Sequence, residues 1–375
     1  MSRTPLRPAS FRLLPLFTLA LAAVASAAPG QLDLRFGQDG VLTIGRGGDT
    51  EQVNALLPDA AGSVYAAGAL FRPRAPGGSA SGNDMAVVRL LDDGTLDPAF
   101  GEAGVTLING GGDGEAAHAI VRQADGKLLV AGALELTSYT DFGVARLLPN
   151  GQLDTSYGNA AGAARAGFRT VNVAQTVAND SARAIALQRN GKAVVAGWGV
   201  AVENGNYPRF GLMRLDTNGD LDTTFGGAGT GYVISAPTQY QVTEYVTGIA
   251  RRRDGSLPAN DSVLVVGYVF GRSQGLMRRY TADGLPDPTF GTNGTVVIPD
   301  ENVGGVRRGL SSIDAAVIQD DGRILVVGTG GDRGFTFLRF LPNGTLDTSF
   351  GTQGRVMVKH SGTSDVDEPR ALMLQ

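Results

Sequence analysis

A short phrase containing Leu-Asp and Phe-Gly recurs along the chain, and this repetition limits its possible folds more than any other feature. The steps between successive copies are 64, 57, 68, 65 and 60 residues. Periods of this length are typical of propellers and solenoids, in which each unit packs against its neighbours. The aspartates that mark the six copies are Asp33, Asp97, Asp154, Asp222, Asp287 and Asp347.

Each repeat contains four segments of strand length. Their residues are mostly β-branched or aliphatic, several of the turns carry Asp-Gly or Asn-Gly, and no long 3.6-residue period appears. Four antiparallel strands in every ~60 residues predict an all-β protein, a β-propeller of four-stranded antiparallel blades. A β-solenoid is the alternative. In the second unit the four segments are 104–108, 117–123, 127–132 and 142–148.

Three motifs occur together in most units. They are the LDxxFGxxG phrase, a QxDGKxLVAG hairpin as at 123–132, and an ARLxxxGxLD lead-in as at 145–154. This combination resembles the delta-60 repeat, a bacterial family thought to form β-propellers. The resemblance covers essentially everything after residue 27 and implies a propeller fold and export, but no activity and no catalytic residues. The third unit departs from the pattern at Tyr157 and Ala161. We therefore expect the contact between neighbouring blades, which we call a seam, to be irregular there.

The first 27 residues have the pattern of a secretory signal peptide. A basic segment with Arg3, Arg7 and Arg12 precedes a short apolar run at 13–25, and 25–27 fits a small-residue cleavage site. The apolar run is too short to cross a bilayer as a helix. We therefore expect export to the periplasm or the extracellular space and a single propeller domain at 28–375. The chain contains no cysteine, which excludes disulfides, thiolate metal sites and a lipid-anchored lipoprotein.

The lead-in predicts an ion pair in each unit. In the stretch RLLDDGTLD, a three-residue loop with a left-handed glycine places Arg89 opposite Asp97. Cross-strand pairs of this kind stabilise a sheet by a few tenths to about 1 kcal/mol. The same count predicts four more pairs: Arg146–Asp154, Arg214–Asp222, Arg279–Asp287 and Arg339–Asp347.

An aromatic residue follows each aspartate of the phrase by three positions and suits a wedge between neighbouring blades. A catalytic site occurs once, or at one symmetry axis, whereas this phrase occurs six times. We therefore interpret the phrase as a structural seam. The six predicted wedges are Phe36, Phe100, Tyr157, Phe225, Phe290 and Phe350.

The connections between strands predict two different faces. In an up-and-down blade, alternate connections lie on the same face, so the QxDGK turn and the phrase share one face and the variable connections share the other. Because loops on a rigid scaffold often carry binding residues, the variable face is the predicted binding surface. The alternative is that these loops are merely tolerated insertions. They include 71–84, 202–208, 236–245 and 300–312.

Aromatic residues in or beside the variable loops are the candidate ligand-binding residues. Exposed aromatic rings beside polar groups stack on sugar rings or anchor a protein partner. The alternative for Trp198 is a structural role in a gap between blades. The candidates are Trp198, Tyr207, Tyr240 and Tyr245, with Arg209 near them.

The sequence predicts no catalytic residue, cofactor or metal. Its two histidines, His118 and His360, are far apart, and no GxSxG, HExxH or Walker motif is present. Residues 216–222 alternate carboxylate and amide oxygens as a Ca²⁺ loop does, but they lack the EF-hand glycine and glutamate, so turn chemistry is favoured. A formal net charge of −4 argues against a nucleic-acid partner.

These features predict an exported, non-enzymatic propeller that binds a protein or a glycan through its variable face. The alternative is a propeller enzyme, a metal-assisted hydrolase or a lyase, with carboxylates that converge at the axis. The sixth unit has RALMLQ at 370–375 where the third unit continues into a turn and two strands. This predicts six blades with the last incomplete, about 25–30 residues short of its own repeat, and self-association through that blade.

Overall fold

The computed structural model describes most of the chain after residue 30. The residues fall into two units, Met1–Leu42 and Thr43–Gln375. The predicted signal peptide at 1–27 lies outside the described residues, and within them no helix is long and apolar enough to cross a membrane. The described ranges are 31–45, 51–59, 62–72, 82–135, 139–158, 167–173, 178–201, 207–239, 241–252, 255–299, 301–303, 306–330, 334–358 and 369–374.

The described part of the first unit is one copy of the repeated phrase, folded as a tight turn. The N–H of Phe36 donates to the carbonyl oxygen of Asp33 at 2.9 Å. The Asp33 carboxylate accepts hydrogen bonds from the backbone N–H of Arg35 at 3.1 Å and from its Nε at 2.9 Å. Aspartate stabilises turns in this way because its side chain bonds to the backbone two residues on. Phe36 is half-buried.

The second unit contains five four-stranded antiparallel blades, which confirms the predicted all-β propeller. Blade 1 consists of β1 (Gln52–Pro58), β2 (Val64–Arg72), β3 (Gly82–Leu90) and β4 (Val105–Ile108). Blade 2 consists of β5 (Ala116–Arg122), β6 (Leu128–Glu135), β7 (Thr140–Leu147) and β8 (Phe168–Val171). Blade 3 consists of β9 (Ser181–Leu187), β10 (Ala193–Ala201), β11 (Tyr207–Leu215) and β12 (Tyr232–Ile234).

The remaining strands complete the second unit. Blade 4 consists of β13 (Thr243–Arg252), β14 (Val263–Phe270), β15 (Gln274–Tyr280) and β16 (Thr295–Pro299). A separate hairpin follows, with β17 (Glu301–Val303) and β18 (Val306–Arg308). Blade 5 consists of β19 (Ala315–Ile318), β20 (Ile324–Thr329), β21 (Phe335–Phe340) and β22 (Arg355–Val358). Residues 369–374 form no strand, and a sixth blade stays a prediction.

The first strand of each blade is its innermost strand. Strands β1, β5, β9, β13 and β19 contact one another in succession, and β13 and β19 also form a short parallel pair. The strand that follows each phrase is the outer strand of the blade before it, as β4 is in blade 1. The QxDGK turn and the phrase therefore share one face, the repeat face. The other two connections share the opposite face, the variable-loop face.

Four hydrophobic clusters fill the spaces between successive blades. The cluster between blades 2 and 3, for example, joins Leu129 and Phe142 to Ile185 and Met213. Strand side chains alternate between the two faces of a sheet, so each blade contributes one set to each neighbour. This explains why the central strands are apolar on both faces.

The aromatic residue of the phrase packs against the turn of the next blade. Phe100, Tyr157, Phe225 and Phe290 are fully buried, whereas Phe350 is only half-buried. Each buried ring lies against the left-handed glycine of the next lead-in turn: Gly151, Gly219, Gly284 and Gly344, respectively. At Gly219, with φ +89°, a Cβ atom would come within 2.7 Å of the Tyr157 ring, so only glycine fits.

Backbone hydrogen bonds follow the same contact. The glycine after each buried aromatic residue donates its N–H to the residue before the turn glycine of the next blade, at 2.7 to 2.8 Å. Tyr157 and Gly158 make this contact like their equivalents, so the described part of the third seam is regular. The four bonds are Gly101–Asn150, Gly158–Asn218, Gly226–Asp283 and Gly291–Asn343.

The arginine of the lead-in joins three parts of the seam. Arg146 Nε donates to Asp154 Oδ2 at 2.8 Å, its Nη1 donates to the carbonyl oxygen of Thr217 in the next blade at 2.7 Å, and its guanidinium lies 4.5 Å from the centre of the Tyr157 ring. The other four pairs are also ion pairs: Arg89–Asp97 at 3.1 Å, Arg214–Asp222 at 2.7 Å, Arg279–Asp287 at 2.8 Å and Arg339–Asp347 at 2.8 Å.

The electrostatics of the buried pair favour charged partners. Burial alone would raise the pKa of Asp154, but hydrogen bonds from Ser156, the ammonium of Lys127 and the guanidinium of Arg146 together hold that pKa well below its usual range. Asp154 therefore stays ionised. Removal of Arg146 would leave a buried carboxylate with only Lys127, at 3.2 Å, as a cationic partner.

We predict that Arg146→Ala strongly destabilises the fold, because it removes the ion pair, the interblade hydrogen bond and the contact with Tyr157. The expected loss is about 3 kcal/mol in the free energy of unfolding, measured by urea denaturation. Arg252→Ala is the matched control, since Arg252 pairs at 3.4 Å with the exposed Asp320 and should lose less than about 1 kcal/mol. Equal losses in the two variants would contradict the structural role of the seam.

Candidate functional site

Four aromatic side chains gather at the variable-loop ends of β10, β13 and β14. The ring centroids of Trp198 and Tyr245 lie 5.5 Å apart in an edge-to-face arrangement at 85°. Tyr245 lies 5.6 Å from Tyr268 and 6.2 Å from Phe270. Spacings of this size are favourable for aromatic pairs. We call these four residues the aromatic cluster.

The strand register explains why the cluster forms. Tyr245 and Tyr268 are directly opposite each other in the antiparallel pair β13–β14, and Phe270 is the diagonal neighbour of Tyr245. Phe270 ends β14 beside a variable connection and is 64% exposed, while the other three rings are half-buried. The cluster thus presents aromatic surface to solvent on a rigid sheet.

The structure separates the residues that the sequence grouped together. Trp198 and Tyr245 belong to the cluster, and their contact also bridges blades 3 and 4. Tyr207 begins β11 opposite Ala201 and is half-buried. Arg209 is only 3% exposed and lies opposite Gly199, so it is not part of the exposed surface. Tyr240 and His360 lie outside the described residues.

Sequence reasoning missed Tyr268 and Phe270. A signal was present, because Tyr268 directly follows the strand glycine Gly267, just as Trp198 directly follows Gly197. Both aromatic residues therefore occupy one repeat position in adjacent blades. What the sequence did not indicate is that the inner strand of blade 4 brings Tyr245 between them.

A group of mostly polar residues lies on the innermost strands. The pairing of β1, β5, β9 and β13 with the next strand shifts register at a β-bulge. A bulge leaves one residue unpaired and redirects its side chain. The residues at this point are Asn54, His118, Arg183 and Thr247, and Asp314 has the equivalent position in blade 5. We call these five the bulge residues.

Two bulge residues bind the next blade. Asn54 Nδ2 donates to the carbonyl oxygen of Ala117 at 2.8 Å, and Thr247 Oγ1 donates to that of Ile313 at 2.6 Å. In both cases the acceptor immediately precedes the bulge residue of the neighbouring blade. These two side chains therefore help to hold the inner strands together.

His118 and Arg183 contact each other, with 3.4 Å between Nδ1 and Nη1. Burial, reinforced by the charge of Arg183, lowers the pKa of His118 to about 3. The imidazole is therefore neutral near pH 7, and its Nδ1 can accept the hydrogen bond. Burial also lowers the pKa of Arg183, which nevertheless stays charged because a guanidinium retains its proton in proteins.

The bulge residues offer little for metal or acid–base chemistry. Asp314 is the only carboxylate among the five. Within the part of the chain that the structure describes, no group of three or more histidine, aspartate or glutamate residues could hold a metal ion. In the predicted turn at 216–222, Asp216 Oδ1 accepts hydrogen bonds from the backbone N–H groups of Asn218 and Asp220, both at 2.9 Å.

An acidic residue three positions before each bulge accepts hydrogen bonds from backbone N–H groups on the variable-loop face. Glu115 accepts hydrogen bonds from the N–H groups of Gly110 at 2.8 Å and Glu135 at 3.3 Å. Asp180 accepts one from Val200 at 3.0 Å. Sequence reasoning missed this set, although its regular spacing was visible. The set consists of Glu51, Glu115, Asp180 and Glu244.

Comparison with known proteins supports the repeat. Five stretches match the family described as "Domain of unknown function (DUF5122) beta-propeller". The repeat is similar to that of this β-propeller family. Three of the matches, at 123–157, 188–225 and 319–350, run from the QxDGK-type turn through the second and third strands to the aromatic residue of the phrase. The matched residues are 77–100, 123–157, 188–225, 259–290 and 319–350.

Solved structures give only distant likenesses. A protein of unknown function from Dyadobacter fermentans is 14% identical, with 85% of this chain and 86% of that chain covered and a TM-score of 0.45. A glucose dehydrogenase is 16% identical, with 72% and 78% covered and a TM-score of 0.36. An α-L-arabinofuranosidase from Clostridium thermocellum is 12% identical, with 79% and 92% covered and a TM-score of 0.32.

These likenesses carry no argument about activity. No curated protein matches the sequence.

We predict that Glu115 makes the stability of the fold depend on pH. Burial raises the pKa of Glu115 to about 7 from the ordinary 4.5, although hydrogen bonds from Gly110, Gly112 and Glu135 oppose the shift and the charge of Asp84 adds to it. The protonated form is therefore favoured in the folded state. Its contribution is fully present below pH 4.5 and is lost as the pH rises through 7, at most about 3 kcal/mol.

The measurement is the difference in melting temperature between the wild type and Glu115→Gln from pH 4 to pH 8. The wild type should lose stability relative to the variant as the pH rises, because glutamine does not ionise. The contribution of His118 is common to both proteins and cancels in the difference. Glu244→Gln is the control. In the wild type Glu244 pairs with Arg278 at 3.1 Å, so this variant should destabilise the fold by removing the carboxylate partner of Arg278. A difference that is constant with pH would contradict the prediction.

Proposed function

We propose that this protein is an exported, non-enzymatic scaffold that binds a protein or a glycan through its variable-loop face. The observation that carries the proposal is the aromatic cluster, in which Phe270 is 64% exposed beside three half-buried rings. Tryptophan and tyrosine are enriched where interfaces concentrate their binding energy. Contiguous exposed aromatic surface on a folded protein often marks a binding site.

The difference between the two faces supports this assignment. The repeat face carries the interblade contacts of the phrase, so its sequence is constrained by packing. On the variable-loop face, buried carboxylates such as Glu115 and Asp180 accept hydrogen bonds from backbone N–H groups. Because these bonds involve only the backbone, the side chains of the loops are free to differ. A rigid base with variable connections is the usual arrangement for a binding surface.

The signal-peptide pattern at 1–27 and the resemblance to the delta-60 repeat support export to the periplasm or beyond. An axial hydrolase or lyase would require converging carboxylates, and of the five bulge residues only Asp314 is acidic. We therefore favour a binding protein over an enzyme.

The test compares the wild type with the double variant Tyr245→Ala/Phe270→Ser. Both proteins are probed on a glycan microarray, and both are immobilised to capture proteins from the culture medium and the cell envelope. The double variant should bind the wild-type ligand at least tenfold more weakly, because it loses the most exposed ring and the central ring of the cluster. Circular dichroism should show that both proteins are folded.

The matched control is Leu285→Ser, which removes an exposed apolar side chain, 48% exposed, from a turn on the repeat face. It should bind like the wild type. If the double variant retains full affinity, or if Leu285→Ser loses as much, the binding surface is not the aromatic cluster. If the wild type binds no glycan or protein, the proposal is wrong.

A further inference from the structure

Arg183 is a half-buried cation that no carboxylate of the described residues pairs with. Two buried arginines of this protein have an acidic partner: Arg146 pairs with Asp154, and Arg278 pairs with Glu244. Removing a charge from water is costly unless an opposite charge or strong hydrogen bonds replace the solvent. An anionic ligand would supply the opposite charge that Arg183 lacks.

The neighbour of Arg183 does not supply that charge. His118 is neutral near pH 7, and its 3.4 Å contact with Arg183 is a long hydrogen bond to a neutral acceptor. Asp314 is the only acidic bulge residue. It accepts a hydrogen bond from Thr329 at 3.4 Å and makes no ion pair with Arg183. The guanidinium thus keeps most of its capacity to donate hydrogen bonds.

Arg183 lies beside the aromatic cluster. Its positive charge interacts with Tyr245 and Tyr268, and it opposes the burial that raises the pKa of Tyr268. It occupies the bulge of β9, directly after Ala182, and the flanking Ser181 is paired with Trp198. One cation on blade 3, one neutral imidazole on blade 2 and several aromatic rings on blades 3 and 4 therefore lie close together.

Polar atoms of the cluster are also available. Among the residues that the structure describes, none forms a hydrogen bond with Trp198 Nε1 or with the hydroxyl groups of Tyr245 and Tyr268. The surface therefore combines ring faces, which accept C–H groups, with donors that suit ligand hydroxyl groups. A pyranose ring has this combination, with C–H groups on its face and hydroxyl groups at its edge.

We propose that Arg183 and the aromatic cluster form a subsite for a uronic acid residue of an acidic glycan. The carboxylate of the sugar pairs with the guanidinium of Arg183, whose planar fork matches a carboxylate. The sugar ring lies against Trp198 or Tyr245, and its hydroxyl groups bond to the tyrosine hydroxyls. The inference rests on the proposed function, since it names the ligand class of the same surface. An acidic peptide is the competing ligand, but it lacks a ring with C–H groups on its face and hydroxyl groups at its edge.

The experiment is isothermal titration calorimetry with three probes. These are a trisaccharide of galacturonic acid, the neutral trisaccharide of galactose with the same linkage, and a tripeptide of glutamate. The wild type should bind the acidic trisaccharide at least tenfold more tightly than either other probe. The preference should decrease as salt is added, because the contact with Arg183 is an ion pair near the surface.

Variants separate the two parts of the subsite. Arg183→Gln should weaken binding of the acidic trisaccharide at least tenfold and leave the weaker binding of the neutral one unchanged. Tyr245→Ala should weaken both. Arg251→Gln is the matched control, because Arg251 is also half-buried, also has its pKa lowered by burial, and stands at the repeat-face end of β13. It should bind all probes like the wild type.

Each other outcome has a defined meaning. Equal affinity for the two trisaccharides, unaffected by Arg183→Gln, overturns the uronate subsite while the proposed glycan-binding function stands. Equal binding of the glutamate tripeptide shows simple charge attraction and also overturns it, as does an equal loss in Arg251→Gln. If neither trisaccharide binds, the uronate inference is wrong, and the capture experiment with Tyr245→Ala/Phe270→Ser decides the proposed function independently.

Discussion

The contact on which the rest of this structure depends is the packing of an aromatic ring against a left-handed glycine in the next blade. At the third seam, between blades 2 and 3, the Tyr157 ring fills the space that a side chain at Gly219 would need, and Arg146 contacts the ring, Asp154 and the next blade. Each side of the seam is formed by residues that are close together in the sequence, so the seam can be repeated from one blade to the next. Its distances vary little among the four buried copies.

The seam also explains how the two faces divide their roles. The repeat face contains the interblade hydrogen bonds of the phrase, and its residues are constrained by packing. On the opposite face, buried carboxylates such as Glu115 and Asp180 accept backbone N–H groups of the connections. A loop held through its backbone can change its side chains at little structural cost. The aromatic cluster occupies that side, where the inner strands also carry the bulge residues.

The elements of the fold were largely visible in the sequence, for a physical reason. Strand alternation, Asn-Gly turns and the spacing between Arg89 and Asp97 are local properties, and the repeat displays them several times, so accidental patterns do not persist. The predicted strands of the second unit correspond to β4, β5, β6 and β7 within a few residues. The binding surface was less predictable: Trp198 and Tyr245 were identified, Arg209 proved buried, and Tyr268 and Phe270 were missed.

The sequence by itself determined the repeat, the strands, the arginine–aspartate partners and the division into two faces, because each depends on residues close together in the chain. Only the tertiary structure decided which side chains of different blades meet. Trp198 and Tyr245 are 47 positions apart, and His118 and Arg183 are 65 apart. Their contacts depend on the angle and spacing between adjacent blades and on a one-residue bulge. The packing of the blades, not any local motif, leaves Arg183 half-buried without a carboxylate partner among the described residues.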